Sequence, residues 1–414
     1  MIIDSHLHLP GARKRKTIMD SKEELLQELE KSNIDYAIVI PDNTPRARVT
    51  VHIYCAFKIV LAVENMAKPA EIRPFENCPC LDGYHCQTNS LAKIFHHSGH
   101  PLSEDILLGL GAGMGFIYWQ MKIGTSNSVF IGGRGNNKDF FNDLARRTGV
   151  KIAVRSTSSA ARAENLLLER LVENKPVMMF GDMGLLPWFD LPKDYHFGGH
   201  TFVACGYDGE NTVLASDIEQ KATGLKKGFY YPVTLEQLRK ARSSICKPFP
   251  PKNTYLEFDS EGFHNPRRED FLSSIEQTVE SQLNPPIKNI GVKGLRHTAR
   301  EILNWAQIFK DRDLRMNLFS LYVFIEIGGT GGGCFRYMFS RFLKEAARIV
   351  GNNVLEEISL MFRQSGEKFS EIGLMFRDAE NAQNINDKIR VASQKFQEIA
   401  DIEESAYSNL ASLN

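Results

Sequence analysis

Two strand-like runs that meet at Asp208-Gly209 place the strongest constraint on how this chain can fold. In HFGGHTFVACGYDGENTVLASD, residues 196–217, the Asp-Gly pair is typical of a β-hairpin turn, and the flanking runs have the composition of strands. A two-residue loop would place His200 directly opposite Asp217, and a four-residue loop would make them diagonal neighbours on one face. A three-residue loop would separate them onto opposite faces, because side chains alternate along a strand.

Helical patterns precede this hairpin. Apolar periodicity and turn signals predict helices over 87–98, 103–110, 138–147 and 159–174, and strands over 176–182, 200–207 and 212–217. Helices followed by an antiparallel sheet predict an α+β domain.

The chain is long enough for more than one domain, with 414 residues. The Pro-rich stretch KPFPPKN at 247–253 indicates a boundary, and the patterns after about residue 260 are helical. We therefore predict three segments: an N-terminal extension at 1–65, an α+β catalytic domain at 66–258, and an all-α C-terminal domain at 259–414.

The first 45 residues resemble the opening β-α-β unit of the metal-dependent amidohydrolases, whose first strand carries an H-x-H pair, here His6 and His8. In that family the pair helps to bind a divalent metal inside a barrel. Such a barrel needs roughly 250 residues, and the sequence changes character after residue 65. The segment is therefore predicted to be a fused remnant, or to result from a misassigned start with Met66 as the true one, and no metal site is predicted.

Charge and hydropathy exclude several classes of partner. Lys+Arg and Asp+Glu both number 50, so no overall basic field would attract nucleic acid. The longest apolar run, residues 318–327, is too short to cross a membrane and contains Glu326. The N-terminus lacks the pattern of a signal peptide, so a cytoplasmic protein with free thiols is expected.

Cys86 occupies the predicted start of the first helix. The apolar residues Leu91, Ile94 and Phe95 fall on one face after it. A helix N-terminus lowers the pKa of a thiol, because its unpaired N–H groups and dipole stabilise the thiolate. Together with His200 and Asp217, Cys86 fits the order nucleophile, base and orienting acid. A buried structural cysteine and a structural His-Asp hydrogen bond are the alternatives.

Longer stretches carry a family resemblance. Residues 75–245, including DGYHCQTNSLAKIFHHSGHPLSEDILLGLGAGMGFIYW and HFGGHTFVACGYD, resemble the N-terminal domain of butirosin biosynthesis protein H, within the papain-like and C39-like cysteine peptidase fold group. Residues from about 260 onward, including IEIGGTGGGCFRYMFSRFLKEAA, resemble the uncharacterised helical domain that often follows it. The resemblance implies a papain-like core followed by an all-α domain.

The same resemblance implies acyl transfer, with Cys86 as nucleophile, His200 as base and Asp217 as orienter. It does not specify the donor or the acceptor, for which we predict a carrier-protein-like thioester and a small-molecule amine. No cofactor is implied beyond the phosphopantetheine that would carry the acyl donor. Papain-like enzymes place a glutamine before the cysteine as oxyanion donor, and FENCPCLDGYHC has none. Asn77 and His85 are the candidate replacements, beside the Cys86 backbone N–H.

The glycine-rich stretch GGTGGGCFR at 328–336 precedes another predicted helix. Glycine-rich backbone at a helix start can hold a phosphate, which makes Gly331, Gly332, Gly333 and Arg336 candidates for binding phosphopantetheine or a carrier protein. A close helix–helix crossing explains the same glycines. Two further functions stay open, a cysteine peptidase or amidase on the same site and a binding protein without catalysis.

Overall fold

A computed structural model describes the protein in two compact units, Met1–Glu71 and Ile72–Asn414. The described residues are 7–8, 38–41, 49–52, 72–123, 126–135, 138–192, 194–219, 224–247 and 249–413.

In the first unit, three short strands are described: β1 (Leu7–His8), β2 (Ile38–Pro41) and β3 (Val49–His52). They form an antiparallel sheet in the order β1-β3-β2. The sequence predicted strands at β1 and β2 but not β3. The predicted helix between them and His6 lie outside the described residues, so the amidohydrolase-like character of this segment stays a prediction.

The second unit alternates helices and strands and then becomes helical. Its described helices are α1 (Cys86–His97), α2 (Glu104–Leu110), α3 (Phe140–Thr148), α4 (Ala160–Val172), α5 (Leu235–Arg242), α6 (Arg268–Leu283), α7 (Gly291–Glu301), α8 (Trp305–Ile308), α9 (Asp311–Tyr322), α10 (Arg336–Val350), α11 (Val354–Met375) and α12 (Ile385–Ala411). Its described strands are β4 (Met114–Ile123), β5 (Ser126–Arg134), β6 (Lys151–Arg155), β7 (Val177–Gly181), β8 (His200–Tyr207), β9 (Thr212–Ile218), β10 (Gly228–Thr234) and β11 (Tyr255–Asp259).

Six of these strands form an antiparallel sheet in the order β10-β9-β8-β7-β11-β6, and β4 pairs with β5 as a separate ribbon. The predicted helices α1 to α4 and strands β7 to β9 are confirmed within two residues at each end. The ribbon and the strands β6, β10 and β11 were not predicted. The fold is mixed α/β with helices at its C-terminal end, and the papain-like core stays a prediction.

The hairpin β8–β9 contains a bulge that decides the orientation of two side chains. Next to the turn, Tyr207 pairs with Val213, a register that alone would place His200 and Asp217 on opposite faces. The register shifts by one residue between Ala204 and Gly206, so Cys205 is the additional residue of a β-bulge. Beyond it the pairing matches that of the predicted four-residue loop, and both side chains lie on the same face.

The glycines at 109, 111, 113 and 115 permit close packing, because they carry no side chain. A Cβ on Gly111 would lie 2.2 Å from the Phe140 ring, and one on Gly115 would lie 2.6 Å from the backbone nitrogen of Gly135. Gly111 thus lets the end of α2 approach α3, and Gly115 lets β4 approach the backbone at the end of β5.

The helical C-terminal segment shares one hydrophobic core with the segment that contains Cys86. A Cβ on Gly109 of α2 would overlap the ring of Phe342 in α10, at 2.1 Å. Asp105 and Arg341 form an ion pair across the same contact, at 2.7 Å. Residues 72–414 are therefore one compact unit, and the domain boundary at 258 stays a prediction from sequence. None of the helices in the described part of the chain is long and apolar enough to cross a membrane.

Candidate active site

Cys86 is the first residue of α1, and the loop before it is held by one buried carboxylate. Glu104, in the first turn of α2, accepts hydrogen bonds from the backbone N–H groups of Tyr84 (2.8 Å) and His85 (3.0 Å). It also accepts one from the Thr88 hydroxyl, at 2.6 Å. Burial raises the pKa of Glu104. The Glu104 carboxylate therefore holds the backbone just before Cys86 and the first turn of α1 just after it.

His200 and Asp217 form a buried hydrogen-bonded pair. Nε2 of His200 lies 2.7 Å from Oδ2 of Asp217, and the two side chains are 2% and 1% exposed. The indole N–H of Trp188 donates to the same carboxylate oxygen at 2.9 Å. The backbone N–H of Ile218 donates to Oδ1 at 2.8 Å. Asp217 is thus oriented by donors on both oxygens.

The Cys86 thiol lies within interaction range of His200, so that the sulfur, the imidazole and the Asp217 carboxylate are neighbours. Burial raises the pKa of Cys86, but the charge and hydrogen bond of His200 and the Thr201 N–H outweigh it, so that the pKa is lowered. Burial lowers the pKa of His200, and the charges of Asp217 and the Cys86 thiolate raise it to about 10. This arrangement favours a thiolate–imidazolium pair at neutral pH.

Two further cations lie within electrostatic range of the Cys86 sulfur. Lys226 is fully buried, and its Nζ donates to the backbone oxygen of Ile327 at 2.8 Å. Burial lowers its pKa to about 8, although Cys86 and other acids oppose the change. Arg134 donates to the side-chain oxygen of Gln87 at 2.8 Å, and burial lowers its pKa to about 10. Both cations favour negative charge at the site.

The glycine-rich stretch 328–335 of the helical segment packs against the loop that carries Cys86. Gly329 lies beside the ring of His85, and a Cβ on Gly331 would lie 3.2 Å from the Cβ of Tyr84. The ring of Phe335 meets that of His85 edge to face, at 5.0 Å. Residues of the C-terminal segment therefore form one wall around the cysteine.

This stretch has an unusual backbone. Left-handed φ angles occur at Gly329, Gly331, Gly332, Gly333, Cys334 and Phe335. Such angles cost little at glycine but strain the two non-glycine residues. The glycines thus serve close packing of a loop against its neighbours, rather than the helix–helix crossing that the sequence offered as the alternative.

The predicted phosphate-binding group is not supported by its contacts. Arg336 is fully buried and forms a two-pronged ion pair with Glu403, with N–O distances of 2.8 and 3.0 Å. The Gly333 N–H donates to the Glu326 carboxylate at 3.2 Å, and the Gly332 N–H donates to the Thr330 hydroxyl at 3.3 Å. Arg336 and these amides already have protein partners, and a carboxylate occupies the position that a phosphate would need. Gly331 packs on Tyr84 instead.

The two predicted oxyanion donors have different positions. The backbone oxygen of Asn77 contacts the ring of His96, in the last turn of α1, 3.3 Å away. Because a helix rises about 1.5 Å per residue, His96 is about 15 Å from Cys86 along the helix axis. The structure thus does not bring Asn77 to the cysteine. His85 directly precedes Cys86, and burial followed by the Arg134 charge lowers its pKa well below the usual value, so it is neutral.

Sequence inspection missed four side chains around the site: Glu104, Trp188, Lys226 and Arg134. Glu104 lies in the quoted stretch DGYHCQTNSLAKIFHHSGHPLSEDILLGLGAGMGFIYW, whereas Trp188, Arg134 and Lys226 come from other parts of the chain. Glu104 has the ordinary place of an acid in the first turn of a helix, so nothing local distinguishes it.

A matched pair of glycine variants tests whether the wall supports the cysteine. Gly331 and Gly351 share a φ of 71°, but a Cβ on Gly351 would meet nothing within 4 Å. Both alanine variants should lose about 1–2 kcal/mol of unfolding free energy from left-handed strain. Gly331→Ala should lose about 1–3 kcal/mol more, because its Cβ presses on Tyr84. Urea denaturation measures both, and equal losses would show that Gly331 supplies conformational freedom alone.

Comparison with known families agrees with the sequence resemblance. Residues 85–218 match the family described as "Butirosin biosynthesis protein H, N-terminal", a span that contains Cys86, His200 and Asp217. Residues 85–218 are therefore similar to the N-terminal domain of butirosin biosynthesis protein H. Residues 236–410 match "Domain of unknown function (DUF4872)", and the wall formed by 328–335 lies within this matched span. A search of curated proteins found no match.

Proposed function

We propose that this protein is a biosynthetic enzyme that transfers an acyl group through an acyl-Cys86 intermediate, from a thioester donor to an amine. One observation carries the proposal: the Cys86 thiol, at a helix N-terminus, lies within interaction range of His200, whose Nε2 is 2.7 Å from a buried Asp217 that is held by donors on both oxygens. The name of the matched family supports a biosynthetic role. The packing of α1 against the antiparallel sheet at β8 supports the proposed papain-like core.

In the first step the Cys86 thiolate attacks the thioester carbonyl carbon, and a tetrahedral oxyanion forms. Collapse breaks the bond to the donor sulfur, which leaves as a thiol after His200 gives up its proton. The acceptor amine then attacks the acyl-cysteine carbonyl and transfers a proton to His200. The Cys86 thiolate leaves, so the imidazolium–thiolate pair is restored.

Asp217 acts by orienting His200 and by stabilising its charge. Nε2 is held by the carboxylate, which leaves Nδ1 to face the thiol. Trp188 and the Ile218 N–H hold the carboxylate in turn, so His200 keeps one orientation through both steps.

The oxyanion needs donors near the carbonyl oxygen. The Cys86 backbone N–H is one candidate, because the first N–H groups of a helix have no partner within it. His85 is the second, as a neutral imidazole next to the nucleophile in sequence. The buried charges of Arg134 and Lys226 would favour the negative intermediate over the neutral ester.

The donor is proposed to be an acyl group on the phosphopantetheine of an acyl carrier protein, and the acceptor a small-molecule amine. The neighbouring Gly331, Gly332, Gly333 and Arg336 have no part in this proposal, since their protein contacts are complete. Mutagenesis of the exposed surface around Cys86 would locate the docking site of a carrier protein.

Trapping the intermediate tests the proposal. The protein is incubated with a short acyl N-acetylcysteamine thioester, and its intact mass and tryptic peptides are measured. We expect one acyl group on Cys86, none in Cys86→Ser, and unchanged labelling in Cys80→Ser, which also removes a half-buried thiol. Added primary amine should then release an amide faster than water releases the acid.

Two other results would contradict the proposal in different ways. Acyl groups that always pass to water, together with cleavage of a peptide amide, would indicate a cysteine peptidase or amidase. Absence of any adduct, with slow alkylation of Cys86 that does not depend on His200, would indicate a binding protein.

A further inference from the structure

Three potential metal ligands converge away from Cys86, at the end of β7. The side-chain ligand atoms of Asp182, His196 and Cys246 all lie within 4.8 Å of one another. They come from three separate places: the residue after β7, the loop before β8, and the loop after α5. We propose that they bind a zinc-type divalent transition-metal ion, independently of any catalytic role of Cys86.

The donor set determines the class of ion. A thiolate, an imidazole nitrogen and a carboxylate oxygen are together the ligands of zinc, whereas calcium and magnesium take oxygen ligands only. Three protein ligands leave a fourth tetrahedral position for water or a small ligand. The His196 side chain is 26% exposed and Cys246 is half-buried, so that position can be reached from solvent.

Hydrogen bonds already orient the carboxylate as a ligand would need. Oδ1 of Asp182 accepts from the backbone N–H groups of Gly184 (3.2 Å) and Phe197 (3.1 Å). This leaves Oδ2 directed at His196, whose Nδ1 lies 2.9 Å away. Metal-binding carboxylates are commonly held by such outer hydrogen bonds.

Ser244 connects the carboxylate to the cysteine. Its hydroxyl donates to Oδ2 of Asp182 at 2.6 Å and accepts the backbone N–H of Cys246 at 3.2 Å. Asp182 is fully buried, and hydrogen bonds with Ser244, His196 and two backbone N–H groups hold its carboxylate. The carboxylate is thus rigid, while the other two ligands lie on more exposed loops.

Metal binding would replace the hydrogen bond between His196 and Asp182 by bonds from both side chains to the ion. The Nδ1 proton that now points to Asp182 would move through solvent to Nε2, which frees the Nδ1 lone pair for the ion. The Cys246 thiol would release one proton to solvent as it becomes a thiolate ligand.

Cobalt(II) provides a direct test, because a thiolate ligand gives it a near-ultraviolet charge-transfer band and tetrahedral geometry gives it intense visible bands. The full chain carrying Cys86→Ser, so that the nucleophile cannot contribute, is stripped with a chelator and titrated with Co²⁺. We expect both features at one equivalent, their loss on adding Zn²⁺, and no charge-transfer band once Cys246→Ser is added. The same background with Cys80→Ser should keep both features.

Ser244→Ala provides a graded variant that keeps all three ligands. It should weaken Co²⁺ binding about 10–100-fold, the usual effect of losing an outer hydrogen bond to a ligand. A pale octahedral Co²⁺ spectrum for the starting protein would overturn the proposal. A charge-transfer band that survives Cys246→Ser would overturn it as well, because another thiol would then be the ligand.

Discussion

Replacing His200 by alanine should slow alkylation of Cys86 by iodoacetamide about 100-fold at pH 7, because the thiolate fraction falls tenfold for each unit by which the thiol pKa rises. Burial raises the pKa of Cys86, and the charge and hydrogen bond of His200 are the largest influences that lower it. Without the imidazole, burial prevails and the thiol is protonated at neutral pH. Peptide mapping is needed because the chain has seven cysteines.

The pH profile tests the same pair more strictly. The thiolate is the reactive form and its pKa in the folded protein lies below 9.0, so the wild-type rate should fall only as the pH drops through that lowered value. In His200→Ala the rise should move to alkaline pH. His96→Ala, in the last turn of the same helix, is the matched control and should keep the wild-type profile. Identical profiles for wild type and His200→Ala would refute an imidazole-activated thiol.

Arg336→Met should destabilise the protein by about 3–5 kcal/mol, the usual cost of leaving one partner of a buried ion pair without the other. Arg336 and Glu403 are 0% and 1% exposed and are joined by two hydrogen bonds. Arg336 also donates to the backbone oxygens of Gly115 (2.9 Å) and Cys334 (2.8 Å), so its loss leaves several acceptors unpaired. Urea denaturation measures the change.

An exposed ion pair provides the control for this substitution. Arg390 and Asp387 are 71% and 69% exposed, so Arg390→Met should change the stability by about 0–1 kcal/mol. Adding Glu403→Leu to Arg336→Met should restore part of the lost stability, because the unpaired carboxylate is then removed. Equal effects of Arg336→Met and Arg390→Met would show that burial of the pair has no energetic consequence.

Local sequence patterns were sufficient for the elements that carry the proposed catalytic side chains. The start of α1 at Cys86 follows from the apolar spacing after it, and the strands β8 and β9 follow from the Asp208-Gly209 turn. Such signals act over a few residues and can be recognised without knowing the fold. The weaker patterns of β6, β10 and β11 gave no comparable signal, because pairing in the sheet, rather than local preference, makes them strands.

The register of the hairpin shows where local inference ends. The sequence allowed several loop lengths. Next to the turn, Tyr207 pairs with Val213, and this pairing, continued along the strands, would have placed His200 and Asp217 on opposite faces of the sheet. The bulge at Cys205 reverses this, and nothing in the composition of the strand indicates it. The backbone oxygen of Cys205 accepts the Phe75 N–H at 2.6 Å, so the bulge is part of a contact with a distant segment.

The helix and strands that carry Cys86, His200 and Asp217 could be inferred from the sequence because they depend on short-range preferences, and the catalytic roles of these residues stay a prediction. The surroundings of these residues depended on the tertiary structure. The side chains that surround the site come from tens to hundreds of residues away: Glu104, Trp188, Lys226 and the loop at 328–335. Arg336 does not take part, because it forms an ion pair with Glu403. Long-range packing decides such contacts, since a side chain's local sequence does not specify which distant partner will cover it.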